Sequence, residues 1–135
     1  MAVNDAILAI ITAAVPLVTV FDSGAPDEDS SEPIPERYAV FWPDTGTPEK
    51  GQVSNESTGR IYRWQVTAVA PDRGMAEWIA TRIAAALEDL RPTIPGFSCG
   101  QIDHTFSLPA RRDEQVLSRR AIVAMDRYEL LAEQI

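Results

Sequence analysis

Cysteine, histidine and basic side chains are all scarce in this 135-residue chain, and each scarcity removes a class of chemistry. One cysteine, Cys99, excludes an intrachain disulfide and any multi-cysteine metal site, and it fits a reducing compartment. His104 is the only imidazole. Lysine and arginine number 12 against 20 acidic residues, a net charge of −8. Such a chain is repelled by phosphate backbones unless its few arginines cluster. No phosphate-cradling glycine loop is present. The long apolar run from Ala6 to Phe21 has no basic region before it, since the first charge is Asp5 and the first base is Arg37; it does not read as a secretory signal. Interrupted by Pro16, it is also shorter than the roughly 20 apolar residues that span a bilayer, so no membrane is implied.

What the chain does have is apolar mass. At 45% hydrophobic residues it can build a real core, and its length suits one domain over 1–135. The acidity reads as solubility. Asn4 is a candidate N-cap for a first helix with Ile7, Ile10, Ile11 and Ala14 on one stripe, stopped at Val15 by the following proline. Leu17 to Phe21 reads as a strand. Asp22 to Glu36 holds six acids, three prolines and no base, which predicts a flexible solvated loop. Tyr38 to Trp42 is apolar on both faces, as in mid-sheet, and Pro43 to Thr58 reads as a long hairpin-like excursion.

The segment Arg60–Leu90 carries the strongest pattern. Tyr62, Trp64, Val66 and Ala68 alternate with Arg63, Gln65 and Thr67, the period of a half-buried strand. Pro71 ends it, Asp72 can cap the next element, and Met75, Ile79, Ile83, Ala86, Leu87 and Leu90 recur at helical spacing up to Arg91 and Pro92. Trp64 and Trp78 are assigned to the core between this strand and helix, and Trp42, at a strand end beside a proline, to a partner surface. After a turn at Gly96–Gly100, the residues Ile102, His104, Phe106 and Leu108 alternate in a strand ended by Pro109. Arg111 to Ser118 is a charged connection, and a last strand runs from Arg120 to Leu130. The order α-β-β-β-α-β-β predicts an α+β fold: two helices on a mostly antiparallel or mixed sheet of about five strands.

Motifs that would carry chemistry fail one after another. Gly96-Phe97-Ser98-Cys99-Gly100 matches the G-x-S-x-G elbow, but Pro92 and Pro95 stand where a strand should lead in, and a strand follows where a helix should. Cys99 and His104, five apart on an extended chain, lie about 16 Å from one another on opposite faces; His104 is read as a structural side chain. Asp27, Asp29 and Ser31 start like an EF-hand loop, yet Glu32 occupies the glycine position and Tyr38 the closing glutamate. Asn55-Glu56-Ser57 is a glycosylation sequon only in a secreted protein. No catalytic residue, metal ligand set or cofactor is therefore assigned. A small α+β enzyme using Ser98, Cys99 or His104, a metal-dependent one using the acidic loop, and a monomeric small-molecule or peptide-binding module are the rival readings. The candidate interface set is Trp42 together with Arg111, Arg112, Asp113, Glu114, Arg119 and Arg120, the arginine pairs being read either as self-neutralised or as docking on an acidic neighbouring subunit.

The layout of an N-terminal helix and strand, then the aromatic strands YAVFW and RIYRWQVTAVA, the helix MAEWIATRIAAALEDL and the late strands IDHTFSL and RRAIVAMDRYELL resembles the tail-terminator proteins of long-tailed bacteriophages. The resemblance implies a virion subunit of the tail or neck, assembled in the host cytoplasm. Such subunits form a homohexameric ring that caps the tail tube at its head-proximal end, stops tube growth and offers the head-joining surface. The implied partners are further copies of the chain, the tail tube protein, head–tail connector proteins, and genomic DNA passing through the lumen without specific binding. A head–tail connector or head-completion subunit is the alternative. An acidic wall suits such a lumen, because like charge does not trap passing phosphates.

Overall fold

The computed structural model describes residues 2–25, 34–48, 59–112 and 121–135. Its elements are α1 (Ala2–Ala14), β1 (Thr19–Asp22), β2 (Tyr38–Pro43), β3 (Thr47–Pro48), β4 (Gly59–Ala70), α2 (Arg73–Leu87), β5 (Phe97–Cys99), β6 (Asp103–Arg112) and β7 (Ile122–Gln134). All the strands join one sheet in the order β1-β2-β4-β7-β5, with β3 added beside β4 and β6 beside β7. Only β1 and β2 run parallel; the other pairs are antiparallel. This is the expected α+β fold with a mixed sheet. Seven strands replace the expected five because the excursion after β2 contributes β3 and the Gly96–Gly100 turn contributes β5.

The alternation in β4 decides which side is core. Tyr62, Trp64, Val66, Ala68 and Ala70 are buried, and so are Ala124, Tyr128, Leu130 and Ala132 on β7. Against this face pack Val3, Ile7 and Ile11 of α1 and Ala76, Ile79, Ile83 and Leu87 of α2, each set at the spacing of one helical stripe. The Asp72 carboxylate accepts from the Met75 amide at 2.8 Å and caps α2 as expected. On the opposite face a smaller cluster forms around Tyr38, Val40, Val69 and Ala121, with Phe21 set edge-on to Tyr38 at 5.6 Å. Among the described residues no helix covers that face.

Several expectations change. Asn4 lies inside α1 rather than capping it, and its Nδ2 donates to the Asp44 carbonyl at 2.7 Å. That bond ties α1 to the corner after β2, where the Asp44 carboxylate accepts from the amides of Gly46 and Arg63. Helix α2 stops at Leu87, not at Arg91; Asp89 follows with a φ of 60°, a left-handed conformation that breaks the helix. The strand around His104 does not end at Pro109. It continues to Arg112 because a register shift between Leu108 and Arg111 lets the proline pass without a ladder bond. Trp78 is not in the core: it stands 43% exposed on α2, beside rather than on the Ala76–Ile79–Ile83 stripe, with the Arg82 guanidinium 5.4 Å from its ring. The acidic run 27–32, the sequon at Asn55, and Asp113, Glu114, Arg119 and Arg120 fall outside the described residues.

Candidate functional site

Trp42 stands one residue before the end of β2 on the helix-free face and is 44% exposed. Its row crosses four strands: Trp42 lies opposite Gln65, Gln65 opposite Arg127, and Arg127 opposite Phe106. Directly paired residues of antiparallel strands share a face, so these four side chains form one exposed band. Arg127 sits 5.2 Å over the ring of Phe106, which is itself 42% exposed. The next row holds the Arg63–Glu129 ion pair at 3.4 Å, exposed enough to contribute no more than about 1 kcal/mol. Together they line a shallow hollow of about 570 Å³.

Arg111 and Arg112 lie at the far end of β6, exposed, opposite Val123 and Ile122. Arg111 shares its row with Val123, Val69 and Tyr38, four residues along β2 from Trp42. Three strand spacings and four residues put the two candidates roughly 20 Å apart. Among the described residues the candidate interface side chains therefore fall on two separate surfaces, an aromatic band and an arginine-bearing edge.

The Phe106 and Arg127 part of the band was hidden from the sequence. Simple alternation places His104, Phe106 and Leu108 on one face. A register shift between His104 and Phe106 separates them: His104 pairs with Tyr128 on the helix side, Phe106 with Arg127 on the outer side. His104 is thereby drawn into a polar cluster. Its Nδ1 meets Glu88 Oε1 at 2.5 Å and its Nε2 meets Asp126 Oδ1 at 2.8 Å. The ring stacks on Tyr128 at 4.6 Å, and Tyr128 stacks on Trp64 at 5.9 Å. Burial works against the charged imidazole, but the hydrogen bonds and charges of Glu88 and Asp126 outweigh it and raise the pKa of His104. Burial, with those same carboxylates, pushes the Tyr128 phenol well up, and burial raises the Cys99 thiol.

This cluster has no nucleophile in line. Ser98 sits within the three-residue β5, exposed, opposite Glu133, and the next element is β6, not a helix. Cys99 is buried, and both nitrogens of His104 are occupied by carboxylates. Among the described residues no group of three or more metal-binding side chains converges, and no helix is long and apolar enough to cross a membrane.

Comparison with known proteins adds the family. Among solved structures, the fold matches a chain from one described as "Virion of native gene transfer agent (GTA) particle", with a TM-score of 0.72 at 14% identity over 98% of this chain and 95% of that one. A second solved chain, with no functional description, matches with a TM-score of 0.58 at 14% identity, covering 99% of this chain and 92% of its own. At that identity both likenesses establish the fold alone. No curated protein sequence matches. The sequence model described as "Tail completion protein gp17" matches residues 2–127, nearly the whole of the sequence, and the chain belongs to this bacteriophage tail-completion family of virion structural proteins.

Proposed function

We propose that the protein assembles into a ring, hexameric by family resemblance, that seats on the head-proximal end of the tail tube, ends tube polymerisation and presents the surface to which the filled head attaches. Its role is structural, not catalytic. The family match carries this reading. The sheet supports it: a closed ring needs two different surfaces of one subunit to meet, and among the described residues the sheet has unlike edges without a further strand at β1 and β6. An uncovered strand edge is otherwise a liability for aggregation. In this reading the Trp42 band and the Arg111–Arg112 edge are the two contact surfaces, and Asp113, Glu114, Arg119 and Arg120 take part in contacts between copies. The partners are neighbouring copies, the tube protein and the head-side connector, in the tail or neck of the virion, with assembly in the host cytoplasm. Residues 1–135 form one domain; Asp22 belongs to β1 and Ala25 and Ile34 pack against the Tyr38 cluster, so of the acidic segment 22–36 only the run 27–32 is dispensable for folding.

Deleting the gene tests the role. A terminator's loss leaves DNA-filled heads separate from tails, and tubes that grow past their normal length. Tails of uniform normal length beside unjoined heads would refute the terminator reading and establish a connector in its place. A finer test reverses Arg111 and Arg112 to glutamate. If these arginines dock on acids of the next copy, the double variant stays folded but reproduces the deletion, because each contact then opposes like charges.

A further inference from the structure

His104, the one histidine of the chain, is gripped from two elements at once. Glu88 is the C-cap residue of α2, and Asp126 lies on β7. A neutral imidazole has one N–H and can donate to only one of these carboxylates, leaving the other opposite a lone pair. The imidazolium has two N–H groups and satisfies both. The surroundings reinforce the charged form. On the helix side, α2 contributes Glu88 and, along the same groove, Glu77 and Arg73, which pair with each other, and β7 contributes Asp126 and the Tyr128 phenol; Asp103 and Glu129 lie on the other face, where Glu129 pairs with Arg63.

The two grips are not equivalent. The Asp126 side chain is 9% exposed and has no ready access to water, whereas that of Glu88 is 47% exposed and can swing into solvent. On loss of one proton the ring therefore keeps Nε2–H on Asp126, and the Glu88 contact is the one that breaks. Beyond Glu88 the chain is held by Leu90 and Ile94 against the core and by a few main-chain bonds. Its main-chain ties are Asp89 N to Ile102 O at 3.2 Å, Ile102 N to Leu90 O at 2.8 Å and Leu90 N to Leu87 O at 3.1 Å.

We propose that His104 is a proton-operated clasp: charged, it ties the C-terminal end of α2 to β7 through Glu88 and Asp126, and neutral, it holds Asp126 alone and lets the end of α2 and the residues after it loosen. The consequence is a subunit whose α2–β6 flank is firm in mildly acidic solution and adjustable above it.

A single histidine makes the test direct. The Cε1–H resonance of His104 in the full-length protein is followed by NMR against pH, with amide hydrogen exchange measured at residues 89, 90 and 102 after correction for base catalysis. The clasp requires a ring titration midpoint above the ordinary histidine value of about 6.5. It also requires a midpoint lower by about one unit in Glu88→Gln, and amide protection that falls tenfold or more across the wild-type titration but stays level with pH in the variant. Glu88 is surface-exposed, so its substitution leaves the core untouched. A wild-type midpoint at or below 6.5, a midpoint unmoved by Glu88→Gln, or wild-type protection indifferent to the ring's charge would each overturn the proposal.

Discussion

Replacing Gly46 with alanine tests the corner that joins β2 to β3. Gly46 adopts a φ of +81°, and a Cβ built there would lie 2.8 Å from Cε1 and 3.1 Å from Cδ1 and Cζ of Tyr62. Tyr62 cannot swing away, because its ring is buried in the main core. The left-handed backbone alone costs an L-residue about 1–2 kcal/mol. Forcing a methyl against a packed ring adds about 1–3 kcal/mol, for a total of roughly 2–5 kcal/mol. Gly96 supplies the control, since its φ is +84° and an added Cβ meets nothing within 4 Å. Gly96→Ala should show only the backbone part, about 1–2 kcal/mol. Urea unfolding followed by tryptophan fluorescence measures both, and the difference between the variants isolates the clash. Equal losses would mean that Tyr62 yields freely and that this corner is not packed as described.

Trp64→Ala should destabilise by about 3–5 kcal/mol, as for a buried large aromatic, while Trp78→Ala, on the exposed face of α2, should cost under about 1 kcal/mol; matching chemical melts would reassign one of them. Removing the cap with Asp72→Ala should cost about 1 kcal/mol, readable as a lowered midpoint without a changed slope. The raised pKa of His104 fixes the sign of its pH effect: its stabilisation is complete below the unfolded histidine value of about 6.5 and is lost as pH rises through the higher folded value. The wild-type unfolding midpoint should therefore fall between pH 6 and 9 more than that of His104→Gln, and parallel curves would contradict the charged pairing.

The elements most legible in the sequence were those whose period is set by one neighbour. β4 alternates because one face meets the helices, and α2 repeats Ile79, Ile83 and Leu87 because one stripe meets the sheet. Trp78 was misplaced because an aromatic next to that stripe looks the same in sequence whether its ring turns inward or lies over Arg82. The exposed band and the histidine cluster depend on pairing at long range. Glu88 and Asp126 stand 16 and 22 residues from His104, and a register shift at Thr105 cancels the alternation that would have placed Phe106 beside it. Composition carries no signal for a shift of that kind. Trp42 was legible as exposed because a strand end beside Pro43 is a place where the sheet stops covering itself.

β7 is the last strand in chain order, yet it is the one against which β4, β5 and β6 all pair. During synthesis β4 can pair with β2 and β3, but β5 and β6 have no partner strand until β7 follows. Closing the β4, β5 and β6 side of the sheet therefore waits for β7 and depends on pairings distant in sequence. A chain cut short early within residues 122–134 would lack core side chains such as Tyr128 or Leu130 as well as the strand that closes the sheet.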